Sequence, residues 1–234
     1  METKTADKKI RGTHPIEKVI YDRIMDAITD KKILAGHHIN EVKLAEAYGV
    51  PRSRIRRVLD RLQEEQVVVF ELNRGAFVSR PTVEEARHVL EARRHLEGVV
   101  VKLACEKATA EDIGLLRAHL VREERAFAEG RADVYRIAAE FHHLLSAIAA
   151  NPVIAQMLNT LIRRGVLIQS VYERVQTGTC LTHEHRVIVD RISENRPLEA
   201  EQEMRQHFEK IFASLDLTDQ RRTETDIYEF NGAF

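Results

Sequence analysis

The chain has 234 residues, 44% of them hydrophobic, and a formal net charge of −1. This length suits two modest domains with a sizeable core, and the absence of any run of about 18 apolar residues excludes a membrane-spanning helix. The charged opening METKTADKKIR is no secretory signal, and two isolated cysteines, Cys105 and Cys180, fit a reducing cytoplasm rather than a disulfide framework.

Residues 1–13 are polar and charged, so they are expected to be disordered. Pro15 opens a helix to about Thr29, with Val19, Ile20, Ile24, Ala27 and Ile28 as its buried stripe. A loop around Gly36 follows, over 31–39. The stretch NEVKLAEAYGVPRSRIRRVLDRLQEEQVVVFELNRGAFVSR, residues 40–80, organises the rest. Asn40 reads as the N-cap of a short helix whose inner face is Leu44, Ala45 and Tyr48. Gly49 ends that helix, because a residue without Cβ tolerates the left-handed conformation past a helix end. The next helix spans about 52–65, with Ile55, Val58, Leu59 and Leu62 at i, i+3, i+4 and i+7. Residues 67–71 are β-branched or aromatic and read as a strand, Asn73-Arg74-Gly75 as a turn, and 76–79 as the returning strand.

Helix, glycine turn, arginine-bearing helix and hairpin make a winged helix-turn-helix. An α-helix fits the major groove of B-DNA, where arginine pairs with guanine edges or clamps phosphates. Arg52, Ser53, Arg54, Arg56 and Arg57 on the second helix, with Arg74 and Gly75 at the wing tip, form the candidate DNA-contacting set. The charge split agrees: residues 1–80 carry 16 Lys+Arg against 12 Asp+Glu, and the remainder 20 against 25.

GVPRSRIRRVLDRLQEE followed by NRGAFVSRP resembles the DNA-binding domain of GntR-type bacterial transcription regulators. The resemblance implies a homodimer on a short palindromic operator. It matches the family's DNA-contacting arginines to Arg52 and Arg56, and its wing glycine to Gly75. Two positions depart from the family pattern: Pro51 stands where Ser or Thr is usual, and Arg54 where Pro is common. The expected N-cap is therefore missing, and the reading helix carries an extra charge.

Pro81 and Thr82 mark a boundary, with Thr82 and Glu85 as a capping box. Beyond it no strand-like stretch occurs. The fold class expected is mainly α: a winged helix-turn-helix over 14–80, an all-helical bundle over 82–217 and a polar tail over 218–234. Six helices are expected in the bundle, at about 83–107, 110–129, 132–150, 153–175, 182–194 and 198–215, with breaks near Thr109, Gly130, Asn151-Pro152, Gly178 and 195–197.

ARRHLEGVVVKLA, EFHHLLSAIAANPVI and HEHRVIVDRISENRPLEAEQEMRQHFEKI resemble the effector-binding and dimerisation (FCD) domain of the FadR-type branch, and six helices resemble its VanR-like subgroup. Geometry speaks for two histidines here. His185 and His207 are equidistant from the turn at 195–197, so an antiparallel hairpin brings them level. Converging neutral imidazoles suit a divalent metal. His142 lies mid-helix beside Phe141. The resemblance implies that His142, His185 and His207 hold a divalent ion of the zinc, nickel or manganese class. The family usually adds an Asp one turn before the first histidine, and here that position is Ala138. Glu140 faces elsewhere, and Asp133 is too distant. His88, His95, His119, His143 and His183 read as surface or packing residues.

The family often has a cavity-lining arginine at the position of Arg93, a clamp for an anionic effector. The same spacing to Glu97 also suits an intrahelical pair, and Arg94 is an alternative inward residue. These features imply a repressor whose operator binding is controlled by a small carboxylate bound near the metal. The alternative is a DNA-binding dimer with a lapsed metal site and no effector. An enzyme is not expected, since no carboxylate stands where a general base is needed.

Overall fold

The computed structural model describes residues 14–173 and 181–218. The expected disorder over 1–13, the break near Gly178 and the tail from 219 onward lie outside the described residues. The chain begins with α1 (Pro15–Thr29), β1 (His38–Ile39), α2 (Glu41–Tyr48), α3 (Arg52–Glu64), β2 (Val68–Glu71) and β3 (Gly75–Val78). The three strands form one antiparallel sheet in the order β1-β3-β2.

Local chemistry sets these elements. Asn40 accepts from the amides of Val42 and Lys43 and so caps α2. Gly49 closes it at φ 61°, and its amide returns to α2 carbonyls. Pro51 supplies no side-chain cap to α3, as its chemistry requires. Ile55, Val58, Leu59 and Leu62 are all buried, joining Ile20, Ile24 and Ile28 of α1 and Val68, Ala76 and Val78 of the sheet in one core. The wing turns at Asn73 (φ 62°) and Gly75 (φ 96°).

Two expectations here need correction. The loop over 31–39 ends in a strand: His38 pairs with Phe77 and Ile39 with Ala76. Val19 is 47% exposed, whereas Tyr21 is buried. The inward stripe of α1 runs through Glu17, Ile20, Tyr21, Ile24 and Ile28, and Val19 falls off its edge.

Among the described residues, six further helices follow: α4 (Val83–Lys107), α5 (Ala110–Ala128), α6 (Val134–Ile148), α7 (Pro152–Tyr172), α8 (Leu181–Ser193) and α9 (Pro197–Ser214). The Thr82–Glu85 capping box forms at the start of α4, and a second, Thr109–Asp112, at the start of α5. α4 is the axis of the bundle, packing against α6, α7, α8 and α9, while α5 lies against α6 and α8. α8 and α9 form the expected hairpin. One isolated antiparallel bridge, Glu173 to Leu215, ties the end of α7 to the end of α9 where no extended pairing was expected.

Candidate functional site

The reading head presents its arginines unequally. Arg52, Ser53 and Arg56 lie on the exposed face of α3, and Arg52 and Arg56 both reach Glu41 at the start of α2, at 3.9 and 3.0 Å. Arg56 also bonds Asp60 at 3.1 Å and stacks on the Phe70 ring at 3.8 Å. Arg74 at the wing tip pairs with Glu71 and covers Phe77. Arg54 and Arg57 turn instead to Glu17 of α1, at 3.3 and 2.6 Å. Burial disfavours the charge on Glu17, but the Arg57 hydrogen bond and charge outweigh it and hold the carboxyl below its ordinary value. Arg54 and Arg57 thus fasten α3 to α1, Arg57 with its side chain still 58% exposed, and Arg52, Arg56 and Arg74 with the glycine turn at Gly75 lie on the outward face.

The second site is inside the bundle. His142 of α6, His185 of α8 and His207 of α9 are all buried, and their ligand atoms lie within 4.8 Å of one another. The rings of His185 and His207 stand 4.8 Å apart across the α8–α9 hairpin, centroid to centroid, and His142 lies 5.2 and 5.4 Å from them. Each ring is held from behind by a carboxylate. His142 Nδ1 is hydrogen-bonded to Glu97 of α4. His185 Nδ1 lies 2.9 Å from Glu123 of α5, and His207 Nδ1 2.9 Å from Glu184 of α8. A carboxylate at Nδ1 fixes the tautomer and leaves Nε2 as the lone-pair donor. Nε2 of His185 and of His207 are buried without a hydrogen-bond partner. Such atoms are costly unless something binds them.

Burial pushes the His142 imidazole down to about 3 against the pull of Glu97. It drives His185 well below the ordinary histidine value, with the charge of His207 adding to the effect. Burial also opposes ionisation of Glu97, but the charges and hydrogen bonds of His142 and Arg93 prevail and hold it at about 2. Burial raises the Glu123 carboxyl against the neighbouring histidines. His142 and His185 are therefore neutral at neutral pH and need lose no proton to ligate a cation.

A cavity of about 20 Å³ lies among these rings, lined also by Arg93, Tyr135, Ala138 and Gln169. That is room for one ion or water, since a water needs roughly 10–15 Å³. Ala138 stands at its wall and adds no ligand. Glu140 bonds Arg122 and Arg136, and Asp133 bonds Arg131 and Arg136, so neither carboxylate substitutes for the missing one. Arg93 forms the intrahelical pair with Glu97, at 2.8 Å, and also lines the cavity. Arg94 lies elsewhere, on a groove with Arg87 and Phe212. His119 is a satisfied core histidine, with Nε2 3.0 Å from the Ile137 carbonyl, and His143 bonds Asn159. The three supporting carboxylates were not found by sequence reasoning. Only Glu184, adjacent to His185, left a local hint.

A winged helix-turn-helix joined to a helical bundle with three converging buried histidines defines a two-part class of DNA-binding protein. The comparisons with known proteins give the family. Residues 16–78 match the model for bacterial regulatory proteins of the gntR family, and residues 88–210 match the FCD domain. The chain belongs to the GntR family of transcription regulators and carries an FCD domain, as the FadR-type branch does. It is 28% identical over 204 residues to the Nta operon transcriptional regulator of Aminobacter aminovorans, covering 84% of this chain and 92% of that one. It is 23% identical over 230 residues to the HTH-type transcriptional repressor NanR of Cronobacter sakazakii, covering 88% of each. Its fold matches that of E. coli McbR/YncC with a TM-score of 0.75 at 14% identity, over 86% of this chain and 96% of that one. The two sequence relatives are named as a transcriptional regulator and a transcriptional repressor, and neither name is that of an enzyme. Among the described residues no helix is long and apolar enough to cross a membrane.

Proposed function

We propose that this regulator holds a divalent ion of the zinc, nickel or manganese class through His142, His185 and His207, and that a small carboxylate bound beside the ion controls its grip on a palindromic operator. The observation that carries the reading is the donor set: three imidazoles, each backed by a carboxylate, with two orphaned buried Nε2 atoms. When bound, the ion supplies a Lewis acid on which an anionic oxygen can be held. Arg93, at the cavity wall, adds a positive charge for a carboxylate. Ala138 leaves the fourth protein position open. Six bundle helices support the VanR-like subgroup, and the division at 81–82 supports a head over 14–80 and a sensor over 82–217.

The working unit is a homodimer in the cytoplasm, acting as a repressor like the relative named for that role. Its two heads match two half-sites, and a change in their placement spoils the match. Arg52 and Arg56 read bases, Ser53 and Arg74 contact phosphate, and Gly75 shapes the wing. Arg54 and Arg57 reach DNA only by leaving Glu17.

The test uses a duplex selected by the purified protein from a random-sequence library. Protein stripped with chelator and reloaded with zinc, nickel or manganese is titrated with a panel of small carboxylates while duplex binding is followed. Release by a carboxylate in the wild type, absent when His142, His185 and His207 are all replaced by Ala, supports the reading. An unchanged response in the triple variant sinks it. The narrow cavity favours a second reading, a DNA-binding dimer with a lapsed site and no effector. For that protein, neither ion nor carboxylate shifts the melting temperature or duplex affinity.

A further inference from the structure

Helix α7 belongs to the bundle, but one of its faces is built into the reading head. Leu167 is 2% exposed and sits in the same apolar cluster as Ile20, Leu59 and Val68. One turn earlier, Arg163 bonds Glu65 at 2.7 Å, at the C-cap of α3. Glu65 is the hub of this end of the reading helix. It also accepts from Tyr21 of α1 and from Arg61, and the guanidinium groups of Arg61 and Arg163 lie over the Tyr21 ring at 4.1 and 5.1 Å.

A neighbouring face of α7 meets the histidine centre. Val166 and Gln169 line its cavity. Between them and Arg163 lies Gly165, which is buried because Arg93 occupies the space a side chain would take. A Cβ there would fall 2.5 Å from Arg93 Nη1 and 3.2 Å from its Cδ. Arg93 pairs with Glu97, and Glu97 holds His142. Buried polar contacts therefore run from a candidate metal ligand to Arg93, which packs against α7 at Gly165, and the part-buried Arg163–Glu65 pair joins α7 to the end of the reading helix.

We propose that Arg163 and Leu167 are positioning residues for the reading helix, and that the contact of Arg93 with Gly165 passes the state of the histidine centre to them. The proposal rests on the metal reading above for its input, but its output can be tested without it. A shift of the His142–Glu97–Arg93 row moves its contact on α7, and α7 carries Glu65 and the Leu167 pocket with it. α6 is the lesser connection: its Arg136 reaches Asp26 of α1 at 3.5 Å but no residue of α3.

Two measurements on the full-length protein decide it. The first is amide hydrogen exchange at residues 61–67 in the wild type, Gly165→Ala, Arg163→Ala and Arg163→Lys. Gly165→Ala places a methyl group against Arg93 and none against the head, so faster exchange at 61–67 must arise through α7. We expect acceleration in Gly165→Ala and Arg163→Ala, and partial recovery in Arg163→Lys. Unchanged exchange in both Gly165→Ala and Arg163→Ala overturns the proposal. The second is the ratio of duplex affinities between zinc-loaded and chelator-stripped protein, expected to be roughly 5-fold or more in the wild type, within the usual range of coupling between sites. In Arg163→Ala it should fall to within about 2-fold, the ion still binding one per chain; a ratio kept at the wild-type value also overturns the proposal. A wild-type ratio of unity with accelerated exchange in Gly165→Ala would leave the positioning role standing and remove the metal input.

Discussion

At the scale of single residues, the chemistry turns on what stands behind each imidazole. His185 is 0% exposed, with one nitrogen on Glu123 and the other facing the cavity. His185→Ala removes one of three ligands and leaves a buried acid without its partner, so bound metal should be lost in elemental analysis. Glu123→Gln keeps the shape but changes the acceptor, and it should weaken metal binding roughly 10–100-fold, as outer ligands of this kind do. Ala138→Asp places a carboxylate at the cavity wall and should tighten binding; competition with a chelating dye would show either change, and no tightening would mean that position 138 does not face the ion. The stripped protein should also lose stability in acid. His119, His142, His143 and His185 all have their imidazoles lowered, chiefly by burial. Below about pH 6.5 the unfolded chain binds protons that the folded chain refuses, so stability falls as pH drops toward the folded values. Glu123, raised, works in the opposite sense, but it is one group against four. The urea midpoint should therefore be lower at pH 5.5 than at 7.5, and equal midpoints would contradict the assignment of neutral imidazoles. His185 and His207 were legible in the sequence because they flank a turn symmetrically, whereas His142 was reached only through the family resemblance. Glu97 and Glu123 were not legible, because they come from α4 and α5, 45 and 62 residues from the rings they hold, and no spacing rule spans such distances.

At the scale of elements, the reading head follows from local chemistry nearly throughout. Asn40 and Thr82 occupy the caps that their side chains dictate, and Gly49 and Gly75 the left-handed positions that the lack of a Cβ allows. Asn40→Ala should cost about 1 kcal/mol of stability by leaving the first amides of α2 unpaired. Gly49→Ala should cost about 1–2 kcal/mol from its left-handed backbone alone, since nothing lies within 4 Å of an added methyl. What escaped was long-range. β1 is two residues long and exists only because β3 offers an edge. Tyr21, unlike Val19, lies on the inward stripe of α1, where its hydroxyl donates to Glu65 at the end of α3. The arginines differ for the same reason. Arg56→Ala should cost about 1–3 kcal/mol of duplex binding and relax base preference, whereas Arg74→Ala should weaken all sequences alike and lower the salt slope by about one. Filter binding across salt concentrations on selected and scrambled duplexes separates the two.

At the scale of the whole molecule, two cores meet on α7. Leu167 is contributed by the bundle and buried in the head, so the head is not a free appendage on a linker. Lys31 to Glu173 at 3.0 Å and the Tyr172 hydroxyl donating to the Pro81 carbonyl at 2.7 Å hold the same seam. Leu167→Ala should destabilise the head by about 2–5 kcal/mol through the lost burial and the cavity left behind. The mild charge split, more basic in the first 80 residues, agreed with a DNA-binding head, but nothing in composition revealed that the halves share a core. The metal site proposed at the histidine centre stands or falls on its occupancy. Elemental analysis of protein purified without an affinity tag or chelator tests it most directly. The account predicts one divalent ion per chain, absent from His185→Ala. Protein that carries no ion, and takes up none when zinc, nickel or manganese is supplied, would contradict it.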